Sequence, residues 1–493
     1  MGKTTMKNVW LIVFVACALP GSRIAADTLT YQKALDIALR QSPEVVQAKL
    51  ALEQSEETYR AAAAGQKLSV ALSLTPLGFS NSLQLNNTYN LWATSRNLQS
   101  NADLTLSQPV WLTGGTITLV GDAGWNDLYT GLFNRENKSF DYRTTIGYSQ
   151  PILLYNQLRT TLDEARLTLE NSQLVYAMKV LSMEHDIAFD FYGLYEDQVN
   201  YEIAKDQLRD DQQSYEITKN KVLLGISAQS DLYQSEVTLA QSQSGMQNNE
   251  VTWENAAEAF KQRLAICIDS MIVIVVDTAA RPVPIDLEKA VANGLQKRME
   301  LRQDAITLRN AEFNLLQTRS SGFASGAVNA SVGLAGNSRD LNTLFQNPAK
   351  SEALSVSLQI PLWDFGANRA NVKASELGVR MNRLTLENEK TTVVLSIRKE
   401  YRTILNLRSQ IEIARGAEHN AQFTYDLNVQ KYKTGAMSAL DLNQYEIQLT
   451  QAKSALINAI VNLKIEMLNM KVLSLWDFEA DKPVFPDITP IKD

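Results

Sequence analysis

Apolar and polar positions follow two different periods along this chain, and both periods occur in each half. Alternation with a period of two, typical of half-buried strands, runs through residues 68–74, 141–150, 327–332 and 353–359. Apolar residues at helical spacing occupy about residues 30–64, 158–224, 287–318 and 369–434. The two longest stretches contain no proline, and helices of close to seventy residues would extend about 100 Å. The pattern in each half therefore predicts a helix, then strands of alternating residues, then a very long helix.

A return helix is predicted after each long helix, beyond the breaks at Gly225 and Gly435. In the second return helix, apolar and small residues alternate at spacings of three and four. They are Leu442, Tyr445, Leu449, Ala452, Leu456, Ala459, Leu463, Met467 and Met470. This spacing is the periodicity of a coiled coil, and its alanines allow a partner helix to approach closely.

The two halves align as a tandem duplication. Tyr215-Glu216-Ile217, Gly225 and Asp231-Leu232 recur 210 residues later as Tyr425-Asp426-Leu427, Gly435 and Asp441-Leu442. The helix opening at Ala34-Leu35 recurs at Ala290-Val291, at an offset of 256. One architectural unit was therefore duplicated.

Strands and helices meet at a proline in both halves. Pro151 and Pro361 end alternating runs and are predicted to mark strand-to-helix exits. The first half also contains 46 additional residues, which we interpret as an added hairpin at about residues 101–125. The helices on either side must emerge on one side of a membrane, so the first half has either two or four spanning strands.

These patterns divide the chain into five parts, with every boundary an expectation from the sequence. They are a signal peptide at 1–26, a first structural repeat at 27–265, a connector in a side domain at 266–284, a second repeat at 285–475 and a tail at 476–493. The basic start and short apolar run of the first part indicate secretion, and lipidation at Cys17 is the alternative.

Charge and cysteine content exclude several functions. Without residues 1–26, which carry three basic residues and no acids, the chain has 44 basic and 54 acidic residues, a net charge of −10. That balance argues against a nucleic-acid partner. Cys267 is then the only cysteine besides Cys17, so a disulfide framework is excluded, and we expect Cys267 to be a buried apolar side chain.

No further segment has the length and apolarity of a transmembrane helix, so a membrane location would require a β-barrel. Four strands from one chain cannot close a barrel, and lipid does not tolerate an open sheet edge. Several copies of the chain would therefore have to assemble around one barrel.

In its order of elements and its duplication, the chain resembles the TolC-like outer-membrane efflux protein family over residues 28–472. The duplicated turn phrase, the exit prolines and the Ala34-Leu35 helix opening carry this resemblance. It implies an α+β membrane protein, a homotrimer whose transmembrane β-barrel continues into a long periplasmic α-helical barrel. The implied partners are a periplasmic adaptor protein, an inner-membrane transporter and outer-membrane lipid.

The resemblance also implies a gate at the helix turns. By position, Asp441 would form an acidic ring at the periplasmic entrance, and Tyr432 and Asp231 would form the closing contact. Gln444 stands where some members carry a second acid, and Met437 stands where an arginine supports the closed state. The turn residues Gly225, Ile226, Gly435 and Ala436 would face the adaptor.

Simpler structural roles compete with these functional ones. Asp231 and Asp441 lie in the first turn of a return helix, where an acid interacts favourably with the helix dipole, and Ser227 and Ser438 could be the N-caps. Tyr432 could be a half-buried coiled-coil residue. Acid pairs such as Asp210-Asp211 are expected to be ordinary solvated charges.

Aromatic residues near the strand exits suggest a membrane-interface belt, which we predict for Trp111, Trp363 and Phe365, with loop packing as the alternative. No enzyme is expected, since His185 and His419 stand alone on long helices and no nucleotide or nucleophile motif is present. Accordingly, no metal and no cofactor is predicted. An outer-membrane duct for small-molecule efflux is favoured over a type I protein-secretion duct and over a periplasmic coiled-coil spacer or adaptor.

Overall fold

The protein is described by a computed structural model that covers residues 27–484 except 89, 154, 271, 277–282 and 323. The predicted signal peptide lies outside the described residues. The helices are α1 Tyr31–Gln41, α2 Pro43–Ala64, α3 Gln157–Leu223, α4 Gln229–Leu264, α5 Leu287–Lys297, α6 Met299–Ser321, α7 Ala367–Lys433 and α8 Ala439–Ser474. The strands are β1 Asp27–Leu29, β2 Ser69–Asn86, β3 Leu91–Val110, β4 Gly115–Thr130, β5 Arg135–Ile152, β6 Ile272–Ile274, β7 Ser325–Ser338, β8 Ala349–Gln359, β9 Trp476–Asp477 and β10 Lys482–Pro483.

The duplication in the sequence is repeated in the helices. α3 and α7 each have 67 residues, and the return helices α4 and α8 each have 36. The predicted long helices are confirmed to within two residues at every end. Five of the nine predicted seam residues of α8 are buried, namely Leu442, Leu449, Ala459, Leu463 and Met470, and the coiled coil stays a prediction.

The first helix of each half is interrupted, which the sequence pattern did not predict. The expected helix at 30–64 is divided at Ser42 and the one at 287–318 at Arg298, both with extended backbone angles. Pro43 explains the first break, because proline disfavours helical angles in the residue before it. The second break occurs at the corresponding position without a proline, so both repeats have the same bend although only one has the residue that enforces it.

The chain divides into two compact units, and each takes segments from both halves. One comprises the residues up to Ala51, Gln173–Leu301 and those from Asn388 onward, and the other comprises Leu52–Ser172 and Arg302–Glu387. Within the described residues, no helix combines the length and apolarity needed to cross a bilayer.

The first unit has two hydrophobic clusters, one from each repeat. In the first, Ala34 and Ala38 of α1 pack with Phe191 of α3 and Phe260 of α4. In the second, Ala290 of α5 packs against α7 and α8, where Ile397 and Met470 are fully buried. Ala34 and Ala290 are the pair expected from the duplication, so equivalent residues anchor equivalent helices.

In the described part of the connector between the repeats, residues 272–274 form the short strand β6. β6 pairs in parallel with β1, through Thr28 opposite Val273. Cys267 is exposed, so the expectation of a buried apolar side chain was wrong. It lies in a short turn after α4, where Ser270 donates a hydrogen bond to its carbonyl oxygen.

The second unit contains a single sheet of six antiparallel strands in the order β2-β3-β4-β5-β7-β8. The first half contributes four strands and the second half contributes two. β3 and β4 form a hairpin with a turn at residues 111–114, where the sequence predicted an added hairpin. β2 and β8 are the edge strands, and each is hydrogen-bonded on one side only within this chain.

The register places apolar residues on one face of this sheet. Leu104 lies opposite Leu72, Leu106 opposite Leu119, and Ile146 opposite both Leu119 and Val332, so that β2, β3, β4, β5 and β7 contribute to one apolar surface. On β8 the same face carries Leu354, opposite Ala330, and also Glu352, opposite Val332. Most of these side chains are exposed, with Ile146 at 58% and Val332 at 60%, while Leu119 is half-buried. The opposite face is polar, because Asp103, Asp122 and Arg143 lie side by side on neighbouring strands. The sheet is therefore amphipathic across its whole width.

Candidate functional site at the helix turns

The turns that join α3 to α4 and α7 to α8 have the same backbone geometry. Gly225 and Gly435 adopt φ angles of +73° and +82°, in the left-handed region. The Ile226 N–H donates to the Lys221 carbonyl oxygen at 2.8 Å, and the Ala436 N–H donates to the Lys431 carbonyl oxygen at 2.9 Å. This pattern closes the end of a helix around a residue that glycine suits best. The duplicated glycines are therefore required by the backbone.

Replacing Gly435 with alanine should destabilise the turn by about 1–2 kcal/mol, since a side chain at positive φ brings Cβ too close to the following carbonyl oxygen. Gly416 is the matched control: it lies inside α7, and a Cβ there would meet nothing within 4 Å. Gly416→Ala should instead stabilise the helix by about 0.5–1 kcal/mol. Hydrogen exchange of the amides at the end of α7 measures both effects, and equal exchange in the two variants would contradict the role given to Gly435.

The acids that follow the turns cap their helices in two different ways. Ser438 is the N-cap of α8: its Oγ accepts a hydrogen bond from the Asp441 N–H at 3.2 Å and donates to Asp441 Oδ2 at 2.7 Å. In α4 the N-cap is Ala228, so the prediction for Ser227 was wrong. Ser227 Oγ donates to Asp231 Oδ2 at 3.1 Å, and the Ala228 N–H donates to the same oxygen at 3.3 Å. Both carboxylates therefore stabilise a helix start.

The remaining residues of the predicted gate and adaptor surface lie at the surface of this chain. Asp441 and Gln444 are exposed, as are the turn residues Ile226 and Ala436. Their side chains are available for contacts with another molecule, and their roles at the pore and the adaptor stay predictions.

Tyr432 connects α7 to α3. Its side chain is 3% exposed, and its hydroxyl donates to the Ser214 carbonyl oxygen at 3.0 Å and lies 2.7 Å from Thr218 Oγ1. Lys221 Nζ lies 4.0 Å from the ring centroid and donates to the Tyr432 carbonyl oxygen at 2.6 Å. Burial raises the pKa of the Tyr432 phenol, with the negative charge of Asp231 adding to the effect. The hydroxyl therefore stays protonated as a donor.

The predicted contact between Tyr432 and Asp231 is not formed by a hydrogen bond within this chain. Among the described residues, the hydroxyl of Tyr432 bonds to α3, while the carboxylate of Asp231 bonds to the start of its own helix. The two groups are near enough for the charge of Asp231 to influence the phenol. A closing contact between them therefore stays a prediction.

Tyr425 forms a second connection between the long helices, one that the sequence did not indicate. Its hydroxyl donates to Asp210 Oδ2 at 3.2 Å. Burial, together with the neighbouring acids Glu446 and Asp210, raises the pKa of Tyr425 well above its ordinary value. Tyr425 and Tyr432 are seven residues apart, so they lie two helical turns apart on the same side of α7.

Two buried acids lie between α3 and α8. Asp211 and Glu446 are each 4% exposed, which overturns the expectation that Asp210-Asp211 is an ordinary solvated pair. Burial raises the pKa of Asp211 to about 6 and that of Glu446 to about 9, and the charge of Asp211 contributes to the second shift. The nearby polar groups of Ser242 and Asn443 favour the ionised form of Asp211 and limit the rise of its pKa. No sequence motif indicated this pair. Asp211 is buried only because α8, which is distant in the sequence, packs against it.

The strand exits carry the prolines and aromatic residues predicted for them. Pro361 lies just beyond β8, whereas Pro151 is still paired with Ala327 in the last residues of β5. The Asn156 amide donates to the Trp111 carbonyl oxygen at 2.7 Å and connects the β3–β4 turn to the start of α3.

The predicted aromatic belt residues are exposed in the structure. They are Trp111, Trp363 and Phe365. The rings of Trp363 and Phe365 meet edge to face with centroids 5.7 Å apart. Such an exposed aromatic pair is compatible with a membrane interface, and the belt stays a prediction.

The model of the outer membrane efflux protein family matches residues 289–473 of the chain. No curated protein matches the sequence. The structure is similar to that of the outer membrane channel CmeC of Campylobacter jejuni, with 16% identity, a TM-score of 0.70 and coverage of 93% of this chain and 87% of that chain. It is also similar to the outer membrane protein VceC of Vibrio cholerae, with 13% identity, a TM-score of 0.68 and coverage of 90% and 96%.

A third similar structure is the outer membrane channel MtrE of Neisseria gonorrhoeae in its open state, at 16% identity and a TM-score of 0.64, covering 90% of this chain and 88% of that chain. The resemblance to outer-membrane efflux proteins is therefore confirmed, and the fold is that of outer-membrane channel proteins.

Proposed function

We propose that this protein is the outer-membrane exit duct of a tripartite export system and passes small molecules to the exterior. The observation that carries the proposal is the amphipathic sheet, whose continuous apolar face is uncovered and whose polar face carries charges. An exposed apolar surface of this extent needs a non-aqueous partner, and lipid on one side with water on the other suits both faces. The match to the outer membrane efflux family supports the same location.

Closure of the sheet requires further copies of the chain. β2 and β8 have unpaired edges, which lipid does not tolerate, and pairing β8 of one copy with β2 of the next removes both edges. In a homotrimer, six strands per chain make a barrel of eighteen, whereas the twelve-stranded alternative would leave the hairpin of β3 and β4 outside the barrel. The hairpin is hydrogen-bonded on both sides within the sheet, which favours eighteen.

The helices then belong in the periplasm, where the turns after α3 and α7 meet a periplasmic adaptor protein. The exposed turn residues Ile226 and Ala436 are the proposed contact, and the adaptor connects the duct to an inner-membrane transporter. Asp441 lines the entrance once per copy, and Tyr432 and Asp231 hold the entrance closed. The duct itself performs no chemistry, so substrate choice and energy come from the transporter.

The direct test is to purify the mature protein from outer membranes in detergent and record its conductance in a planar bilayer. We expect a heat-modifiable oligomer with a small, steady, cation-selective conductance. A soluble, elongated periplasmic monomer would contradict the proposal and favour a coiled-coil spacer or adaptor. A folded trimer that never conducts, even after its helix turns are loosened by substitution, would also contradict it.

Replacing Asp441 with alanine should reduce the cation selectivity and the pH-dependent block of the channel, because an acidic ring attracts cations to the entrance. Asp441→Asn keeps the shape of the side chain and removes its charge, so it should have the same effect if charge is the cause. Asp36→Ala removes an exposed acid from α1 and serves as the control. Unaltered selectivity in bilayer recordings of both Asp441 variants would exclude Asp441 from the pore.

A further inference from the structure

We propose that Asp211 and Glu446 share one proton at neutral pH, and that this proton-binding site holds α8 against α3 close to the helix turns. Loss of the proton separates the two helices. The site therefore acts as a proton-operated latch, which goes beyond the transport function proposed above.

The two carboxyl groups are arranged as partners for a single proton. Both side chains are 4% exposed, and both line the same small cavity. Asp211 Oδ2 and Glu446 Oε1 are fully buried, and neither receives a hydrogen bond from any N–H or O–H donor of the described residues. Two ionised carboxylates in this position would repel each other, whereas a protonated Glu446 can donate to the Asp211 carboxylate. A shared proton thus supplies a hydrogen bond to oxygens that no donor of the described residues reaches.

The cavities around the pair are polar and open to water. A cavity of about 20 Å³ is lined by Asp211 and Glu446 together with Ser235 and Asn443. That volume suffices for one water molecule. A larger polar cavity of about 250 Å³ also reaches Asp211 and is lined by Ser242 and Asn443. The buried acids therefore have a route by which protons can exchange with solvent.

Among the described residues, the groups that face the pair add negative charge, and no lysine or arginine forms an ion pair with Asp211 or Glu446. On α3 the neighbour is Asp210, whose carboxylate lies 3.7 Å from the Arg209 guanidinium. On α7 the neighbour is Tyr425, which donates to Asp210. The α4 residues that line the cavity walls, among them Ser235, Ser242 and Met246, are all uncharged. A metal ion is not favoured, since no group of three or more His, Cys, Asp or Glu side chains among the described residues could hold one.

The direction of the pH effect follows from these surroundings. Both acids have raised pKa values in the folded protein, so the proton binds more strongly there than in separated helices. The stabilisation is complete only below the ordinary pKa values of the two acids, decreases as the pH rises above them, and is lost as the pH rises through about 9. Below about pH 6 Asp211 also becomes protonated and the pair is neutral.

The duplication supplies an internal control, because the equivalent site in the other repeat lacks the pair. Position 236 on α4 corresponds to position 446 and is also a glutamate, but Glu236 is exposed. Position 421 on α7 corresponds to position 211 and is an alanine. Among the described residues, the equivalent positions on α7 and α4 therefore lack this acid pair, and the proposed site acts on α8 and not on α4.

The experiment is an infrared titration of the purified mature protein in detergent, combined with a spin-label distance between α3 and α8. The titration is carried out in a Glu400→Gln background, because the buried Glu400 also has a raised pKa, of about 8, and would contribute a band of its own. In that background a carboxylic acid C=O band should be present at neutral pH, disappear with a midpoint near pH 9 and be absent when Glu446→Gln is added. Glu236→Gln should retain the band. For the distance, labels are placed on the exposed positions Gln213 and Gln448 in a Cys267→Ser background.

The label distance should widen above the midpoint in the wild type and in Glu236→Gln, but remain short at all pH values in Glu446→Gln. In Asp211→Asn the band should titrate at lower pH, because the charge that raises the pKa of Glu446 is absent. Absence of the band at neutral pH, or its persistence in Glu446→Gln, would overturn the proposal and indicate that both acids are ionised or that another acid is protonated. A pH-independent distance in the wild type would overturn the latch. None of these readouts requires a conducting channel, so failure here and failure of the transport function are distinguishable.

Discussion

Replacing Ile146 with lysine should prevent assembly of the protein in the outer membrane. Ile146 lies on β5 between Leu119 and Val332, within the apolar face of the sheet, and it is 58% exposed in the single chain. If that face contacts lipid, a lysine near the bilayer midplane costs about 2–4 kcal/mol in each chain. The cost recurs in every copy of the assembly. The measurement is the amount of heat-modifiable oligomer in the outer-membrane fraction.

Thr145→Lys is the matched control for this substitution. Thr145 is the neighbouring residue on the same strand, and it lies on the polar face opposite Val120 and Gly333. A lysine on that face projects toward water, so this variant should assemble at nearly the wild-type level. Equal assembly of the two variants would show that the apolar face does not meet lipid, and the proposed membrane location would have to be abandoned.

The sequence predicted the helices well because their signals are strong and repeated. α3 and α7 begin shortly after a proline and end next to a glycine that must adopt positive φ, so both boundaries are specified locally. The seam of α8 was readable for the same reason, since its period persists over the whole helix. The bend at Arg298 was missed because no local residue enforces it, and only its equivalence to Ser42 would have revealed it.

The chemistry between the helices was much less predictable from the sequence. Asp211 was interpreted as a solvated charge because it is adjacent to another acid on a polar stretch, yet α8 covers it. The burial of Glu446 could not be predicted from the sequence either, since each turn of a helix contains both buried and exposed positions. The duplication did contain a signal for Asp211. The corresponding position in the second repeat, 421, is an alanine, so an acid at position 211 is not required by the helix pattern that the two repeats share.

Removing the side chain of Tyr432 should release the end of α7 from α3. Tyr432 is 3% exposed, and deleting a buried aromatic ring costs about 3–5 kcal/mol. Tyr432→Phe keeps the ring and loses only the hydroxyl bonds to Ser214 and Thr218, so it should cost about 1 kcal/mol. Trypsin cleavage after the exposed residues Lys431 and Lys433 reports this local opening. Cleavage should accelerate by roughly tenfold or more in Tyr432→Ala and by only a few-fold in Tyr432→Phe.

Tyr233→Ala is the control for this series, since Tyr233 is an exposed tyrosine on α4 and its ring is not enclosed by packing. Its cleavage rate should equal that of the wild type. The order of the cleavage rates separates the contribution of packing from that of hydrogen bonding. If Tyr432→Phe accelerated cleavage as much as Tyr432→Ala, the hydroxyl and not the ring would hold α7 to α3. If neither variant accelerated cleavage, the end of α7 would be held by other contacts, and Tyr432 could not be a closing residue of the proposed gate.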